Sequence, residues 1–403
     1  MLKQTKESSL EDLDSMRSDT VKGRKILMIS PSFYPAFHYG GPIYSAFYLL
    51  RGLVKLGHEV QVLTTNANGK EALDVPVNEP VNLEGMKVYY FRENVRHLFS
   101  TSLLLHLRKK IKNADLVIVQ SVFSYPTALA LLISRMNKNK VILMPRGSLS
   151  PWSMTQRAAL KRAFLSAFFK PYLKSILFHA TSEQEKIELE ALMKGSKSFV
   201  VPNGINPEDF DTSLPVSRTD YWNKLLGVEI HRETKVISAM GRIHEKKGFD
   251  ILIKALAELK NHQVILAIAG QDFGQQAKLV FLAEEMGLKD KVHFIGPVAG
   301  ADKTRFLQES DVFALASHNE NFGIVYLEAL ACATPIVAST NTPWQSVEEE
   351  GCGKWVPNTS HDFAMALEEV LDNRASYNEE RLKAFVSNYT WEKLAGIFEK
   401  QAL

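Results

Sequence analysis

From Lys25 onward, apolar residues come in short runs of strand length, separated by stretches in which they recur at helical spacing. KILMIS is the first run, and the Pro/Gly-rich SPSFYPAFHYGGP follows it. Ala46, Phe47, Leu49, Leu50, Leu53 and Val54 then mark one face of a helix over Ser45 to Leu56. After a glycine stop, GHEVQVLTT forms a second strand, which completes the strand, loop, helix, strand order of a parallel βαβ unit. LVIVQ (116–120), VILMP (141–145) and ILFHAT (176–181) continue the series. These runs are nearly continuous in apolar residues rather than strictly alternating, so they predict strands covered on both faces.

Past SFVVPNGINPEDF and a polar stretch to about Glu233, the same order begins again. KVISAMG (235–241) is a strand, GRIHEKKG a glycine-bounded loop, FDILIKALAELK a helix and QVILAIAG another strand. Each half also has a strand introduced by Asp, ADLVIVQ at 114–120 and SDVFALA at 310–316. No short-period repeat interrupts this scheme, so a solenoid is not expected. The pattern predicts an α/β protein of two Rossmann-like, doubly wound parallel-sheet domains facing a central cleft, over 22–205 and 206–389, with a hinge near Pro202 to Pro207. Residues 1–21, polar and without periodicity, are expected to be a disordered lead-in. Ligands of open parallel sheets bind beyond the carboxyl ends of the strands, which places the chemistry in the cleft.

Composition narrows the class. A length of 403 residues exceeds what one core usually supports, and 45% hydrophobic with 23% charged residues excludes wholesale disorder, collagen and coiled coil. The two cysteines, Cys332 and Cys352, lie outside any Cys-x-x-Cys pattern, so neither a disulfide framework nor a structural zinc is expected and a reducing cytoplasm fits. No run nears the roughly 18 apolar residues of a membrane span, and MLKQTKESSLEDLDSM lacks the apolar centre of a signal peptide. The net charge of +3 conceals an asymmetry: between Leu105 and Ser175 stand thirteen Lys or Arg against the single acid Asp115. Such a field attracts an anionic partner, whether nucleic acid, an acidic lipid surface or a phosphorylated substrate.

Three segments carry candidate chemistry. In Ser317 to Ala331, Glu320 lies in the loop after a strand and Gly323 opens a helix, whose free N–H groups can bind hydroxyl or phosphate oxygens. Glu328 follows eight residues later, where one carboxylate can hold ribose hydroxyls and the other those of a second sugar; the plain alternative is two favourable charges near a helix start. In Gly241 to Gly248, Arg242 and Lys247 emerge at the carboxyl end of the sheet, where two cations can neutralise a departing diphosphate in place of a divalent metal. A solvated basic loop is the alternative there, with Lys246 expected to face solvent. Gly40 and Gly41, in the loop after the first strand, allow close approach to a phosphate or sugar, or simply make a turn. The chain has neither a GxGxxG nor a GxxxxGK[ST] fingerprint, so NAD-type and P-loop chemistry lose support.

Taken in order, Gly41, PNGI (202–205), GRIHEKKG (241–248) and ENFGIVYLE (320–328) resemble the retaining glycosyltransferases of family 4, over a span from about Lys22 to Trp391. The resemblance implies the GT-B fold, with an acceptor-side first domain, a nucleotide-sugar-binding second domain and a C-terminal helix, 390–403, that crosses back to the first. It implies that Gly41 contacts the donor phosphate, that Arg242 and Lys247 bind the diphosphate, and that Glu320 with the backbone of Phe322, Gly323 and Ile324 holds the sugar. Glu328 would hold the ribose, and Val298 would line the nucleobase pocket. The family often has a histidine at the end of the strand that is LVIVQ here; this chain offers Gln120-Ser121 instead, with Gln120 the candidate acceptor contact at that place. PRGSLSPW (145–152) and TPW (342–344) resemble a bacterial polysaccharide-building subset, in which Arg146 either meets an anionic acceptor or braces its own loop through backbone carbonyls.

Another class of sugar transferases holds a metal with an acid-x-acid motif. Asp12/Asp14 and Asp209/Asp211 have that spacing, but neither follows a strand in a nucleotide-binding unit, and the histidines show no HExxH, so no metal site and no cofactor are expected. The stretch Gln156 to Ile176 combines Leu160, Phe164, Leu165, Phe168 and Phe169 with Arg157, Lys161, Arg162, Lys170 and Lys174. It predicts a helix broken at Pro171 that settles on the anionic inner face of the cell membrane, unless the aromatics are core. No RNA-module signature accompanies the charge, so nucleic acid is not an expected partner. The expected function is metal-independent, retaining transfer of a hexose-type sugar from a nucleotide-diphosphate donor to a glycan or lipid-linked glycan. The alternatives are a nucleotide-sugar epimerase on the same scaffold and a noncatalytic sugar-binding protein.

Overall fold

The computed structural model describes residues 23–94, 100–210, 217–260 and 263–403. The lead-in 1–21, with Asp12 and Asp14, and Asp211 lie outside these described residues. The first sheet joins β1 (Lys25–Ile29), β2 (Glu59–Thr65), β5 (Pro80–Leu83), β6 (Met86–Phe91), β7 (Leu116–Gln120), β8 (Lys140–Met144), β9 (Ile176–Ala180) and β10 (Lys197–Val200). The short β3 (Ala67–Asn68) and β4 (Glu71–Ala72) form a separate hairpin. The strand order is β10-β9-β8-β7-β1-β2-β6-β5, parallel throughout except for the antiparallel edge pair β5–β6. The second sheet contains β11 (Lys235–Met240), β12 (Val264–Ala269), β13 (Val292–Gly296), β14 (Val312–Leu315), β15 (Ile336–Ser339) and β16 (Gly353–Val356), in the order β13-β12-β11-β14-β15-β16 and parallel throughout. Both sheets reverse winding direction beside their first strand, between β1 and β7 and between β11 and β14.

The Asp that introduces a strand in each half has the same duty. Lys25 donates its N–H to Asp115 Oδ2 at 2.8 Å, and Val236 donates its N–H to Asp311 Oδ2 at 2.7 Å. Each carboxylate thereby satisfies an orphan donor at the start of the central strand and fixes the register of its neighbour. Asp311 also pairs with Arg218 at 2.5 Å, which ties in the helix Arg218–Leu226.

Helix α1 (Gly41–Lys55) begins four residues before the expected Ser45, because Pro42 in the first turn suits a helix start. It buries Phe47, Leu49, Leu50 and Leu53 on β1 and β2. The chain crosses between the sheets twice, and the two crossings lie side by side: Ile205 N donates to Tyr389 O at 2.8 Å and Trp391 N to Ile205 O at 3.2 Å. The last helix then packs on the first sheet's core through Trp391, Leu394 and Phe398, each of the latter two worth about 2–3 kcal/mol on burial. This contact needs glycine at position 52 of α1, since a Cβ there would stand 2.5 Å from Ala395 Cβ. No helix among the described residues is long and apolar enough to cross a membrane.

Candidate active site

Most of the segments expected to carry chemistry leave the strands that flank the two reversal points, while Arg146 follows β8 and Val298 follows β13. Gly40 and Gly41 follow β1, Gln120 ends β7, Arg242 and Lys247 follow β11, and Glu320 follows β14. These crevices are where a doubly wound sheet leaves space between diverging loops.

After β11 the chain makes a 3-10 turn, Glu245–Lys247, with His244 Nδ1 accepting from Lys246 N at 3.1 Å. Gly248 ends the turn at φ +63°, and a Cβ there would collide with the carbonyl oxygen of Ala316, so the loop can lie against the end of β14 only with glycine. That approach brings Lys247 onto Glu320. Its Nζ forms an ion pair with Oε1, both side chains being largely buried, and Ser317 Oγ donates to the same carboxylate at 3.2 Å. Burial opposes the charge on Glu320, but the ammonium groups of Lys247 and Lys246 with these hydrogen bonds outweigh it, and the carboxyl lies below its usual range. Arg242 is exposed at the rim, its guanidinium 5.6 Å from the centroid of the Phe273 ring.

Gly323, at φ +74°, caps helix α2 (Ile324–Ala331). Phe322 turns inward onto Trp344, ring centroids 5.0 Å apart, and Trp344 Nε1 donates to Phe322 O at 2.6 Å. Glu328 in α2 pairs with Lys303 Nζ at 2.8 Å. Lys303 belongs to the helix Gly300–Gln308, which begins just after the partly buried Val298. Tyr44, in the first turn of α1, lies within electrostatic reach of this pair from the other domain, and burial raises its pKa.

On the first domain's side, Gly40 takes φ +73°, and a Cβ on Gly40 or Gly41 would meet nothing within 4 Å, so the start of α1 is open to a ligand. Gln120 is buried, with Nε2 donating to Ser30 Oγ at 3.3 Å and to Pro42 O at 3.5 Å, while Oε1 has no hydrogen-bond partner. Its amide nitrogen therefore ties β1 to the start of α1. Arg146, at φ +53°, donates to Asn203 Oδ1 at 3.0 Å and contacts Met144 Sδ at 3.4 Å; its bracing runs through side chains rather than carbonyls, and Nε is unpartnered. Burial pulls its pKa down to about 10, opposed by Glu185.

Residues 39–209 match the family described as Glycosyltransferase Family 4, and residues 227–388 match Glycosyl transferases group 1. The chain belongs to glycosyltransferase family 4. Among curated relatives, it is 28% identical to the uncharacterized glycosyltransferase MJ1607 of Methanocaldococcus jannaschii, over 92% of this chain and 96% of that one. It is 29% identical to the D-inositol 3-phosphate glycosyltransferase of Mycolicibacterium smegmatis over 216 residues, about half the length of each. Anabaena HepE in complex with UDP and glucose has the same GT-B fold, with a TM-score of 0.69 at 20% identity over 94% of this chain and 99% of that one.

In this family member the expectation for Lys246 needs correcting. Lys246 does not face solvent: it is half-buried, and its ammonium stands 5.3 Å from the centroid of Trp152 on the opposite wall of the cleft. Burial pushes its pKa down, with Glu320 pulling the other way. Consecutive side chains of a 3-10 turn diverge by about 120°. Lys247 and Lys246 are thus sent to different walls, and neither points outward.

Three contacts were not visible in the sequence: Lys303 on Glu328, Trp152 over Lys246, and Asn321 against the first domain. The basic stretch is a helix, Ala158–Phe168, followed by a 3-10 segment, Lys170–Ser175; the break falls at Phe169, ahead of Pro171, which has no N–H to continue the helical hydrogen-bond ladder and whose ring crowds the preceding turn. Leu165 and Phe169 are core, whereas Leu160 and Phe168 are exposed beside Arg157 and Arg162. Lys161 is tied to Ser153 O at 2.6 Å. Among the described residues no group of three or more His, Cys, Asp or Glu is arranged to hold a metal ion.

Proposed function

We propose that the chain transfers a hexose-type sugar, with retention of configuration, from a nucleoside diphosphate to a hydroxyl of a glycan or lipid-linked glycan in cell-surface polysaccharide assembly. The observation that carries this reading is the buried Lys247–Glu320 pair at the β11/β14 reversal, with Arg242 at its rim. The solved relative that holds UDP and glucose on the same fold supports the donor class. Arg242 and Lys247 face the diphosphate, Glu320 and the Phe322 to Ile324 backbone hold the sugar, Glu328 takes the ribose, Val298 flanks the base, and Gly40 and Gly41 admit the phosphate. Arg146, with its unpartnered Nε, is the acceptor-side candidate.

In the reaction, the bond from the anomeric carbon to the phosphate oxygen breaks as the acceptor hydroxyl forms its bond on the same face. The hydroxyl proton passes to the departing diphosphate, whose growing charge the two cations stabilise. Glu320 is committed to Lys247, so front-face attack without a carboxylate nucleophile suits the site better than a covalent intermediate. Because fixed cations supply the positive charge, nucleoside diphosphate release from a panel of nucleotide sugars should proceed equally in EDTA and in magnesium. Complete loss in EDTA, restored by magnesium or manganese, would overturn the metal-independent reading.

A further inference from the structure

Asn321 stands between Glu320 and Phe322, both of which turn into the second domain, yet its own contacts are all with the first. Its Nδ2 donates to Thr181 Oγ1 at 2.6 Å, its carbonyl oxygen accepts from Ser182 Oγ at 3.2 Å, and a Cβ on Gly147 would lie 3.3 Å from its Cβ. Thr181 and Ser182 follow β9 and begin the helix Glu183–Leu192. The hydrogen-bond directions are mutually consistent. Thr181 commits its proton to Glu185 Oε2 at 2.9 Å, leaving an oxygen lone pair for the Asn321 amide. Glu185 is itself buried, accepts from Thr181 N at 2.7 Å, and takes Gly147 N at 2.8 Å on its other oxygen. A single carboxylate thus fixes both Thr181 and the Pro145 to Trp152 loop, and both meet Asn321.

We infer that Asn321 is a positioning residue that couples the acceptor-side domain to the sugar-holding loop, so that Glu320 and Phe322 reach their working geometry only while Thr181 and Ser182 grip the residue between them. The inference rests on the proposed donor site. The loop is anchored in its own domain by Lys247 on Glu320 and by Trp344 on Phe322, and those anchors remain when the domains part. The Asn321 contacts cannot remain, because their partners lie across the cleft. Donor binding takes all of its assigned side chains from the second domain, the first adding only the Gly40–Gly41 backbone, and is therefore little changed by Asn321, whereas transfer, which needs both domains, depends on it.

The test compares wild type with Asn321→Ala, Thr181→Val, the double variant and Thr181→Ser. Calorimetric titration with UDP, GDP and ADP first identifies the nucleoside diphosphate that binds, and turnover of the matching nucleotide sugar is then measured. Each single loss should lower kcat by roughly 10- to 100-fold, the scale of a small misplacement of reacting groups. Nucleoside diphosphate Kd and donor KM should stay within about twofold of wild type. The double variant should be no worse than either single, and Thr181→Ser, which keeps the hydroxyl, should remain near wild type. Thr181→Val removes the same hydrogen bond from the opposite domain, so the outcome does not hinge on one variant folding. Unchanged kcat, losses that multiply in the double variant, or a Kd that rises as far as kcat falls would overturn the inference. A wild type that binds none of the three nucleoside diphosphates and turns over no nucleotide sugar would overturn the proposed function itself, and the inference with it.

Discussion

Replacing Lys247 by alanine should lower turnover by about a hundredfold, close to 3 kcal/mol of transition-state stabilisation, because it removes a cation from the point where charge grows on the leaving diphosphate. Arg242→Ala should cost a similar factor in rate, but the two variants should part in stability. Lys247 is the main partner of a largely buried carboxylate, and its loss strands that charge, at a cost of about 3 kcal/mol or more in the fold. Arg242 is exposed at the rim, so its removal should leave unfolding within about 0.5 kcal/mol of wild type. Steady-state kinetics and urea unfolding of both variants check this. Near-normal turnover in both would refute the diphosphate assignment, and equal stability in both would refute the structural role of the Lys247–Glu320 pair.

Trp344→Ala should be among the most destabilising single changes, at about 3–5 kcal/mol. The ring is 1% exposed and packs among Phe322, Tyr326, Phe385 and Tyr389, at centroid distances from 5.0 to 6.4 Å. Its Nε1 also holds the Phe322 carbonyl, directly beside the N–H groups assigned to the donor sugar. The variant should therefore weaken donor binding as well as the fold. Trp344→Phe, which keeps most of the packing and gives up the hydrogen bond, should lose about 1 kcal/mol with a smaller rise in donor KM. Urea unfolding and donor titration would measure both effects. An alanine variant with wild-type stability would mean that Trp344 is not the support beneath the loop.

Where a side chain's surroundings are set by its own element, the sequence was informative. LVIVQ is β7 residue for residue, since a strand buried on both faces reads as a near-continuous apolar run. The repeated Asp before β7 and β14 was visible as a pattern, but its purpose, closing the first donor of each central strand, needed the register. The start of α1 is not legible in the sequence, because a Pro/Gly-rich segment resembles a loop until Pro42 is assigned to a first helical turn. The candidate site divided along the same line. Lys247 and Glu320 come from loops already flagged, on strands that pair directly. Lys303, 25 residues before Glu328, and Thr181, 140 residues before Asn321, are distant in sequence, and no spacing rule brings them together. The place of Lys246 is not legible in the sequence, because two adjacent lysines look alike there, whereas the narrow turn gives them different neighbours.

The central claim is front-face transfer from a nucleotide-diphosphate sugar, and the anomeric configuration of the product tests it most directly. With the donor identified by nucleoside diphosphate release and an accepting glycan or lipid-linked glycan supplied, proton NMR of the new linkage should show the donor's configuration preserved, with one nucleoside diphosphate released per linkage formed. An inverted linkage, or a donor that is only epimerised with no sugar reaching an acceptor, would contradict the account.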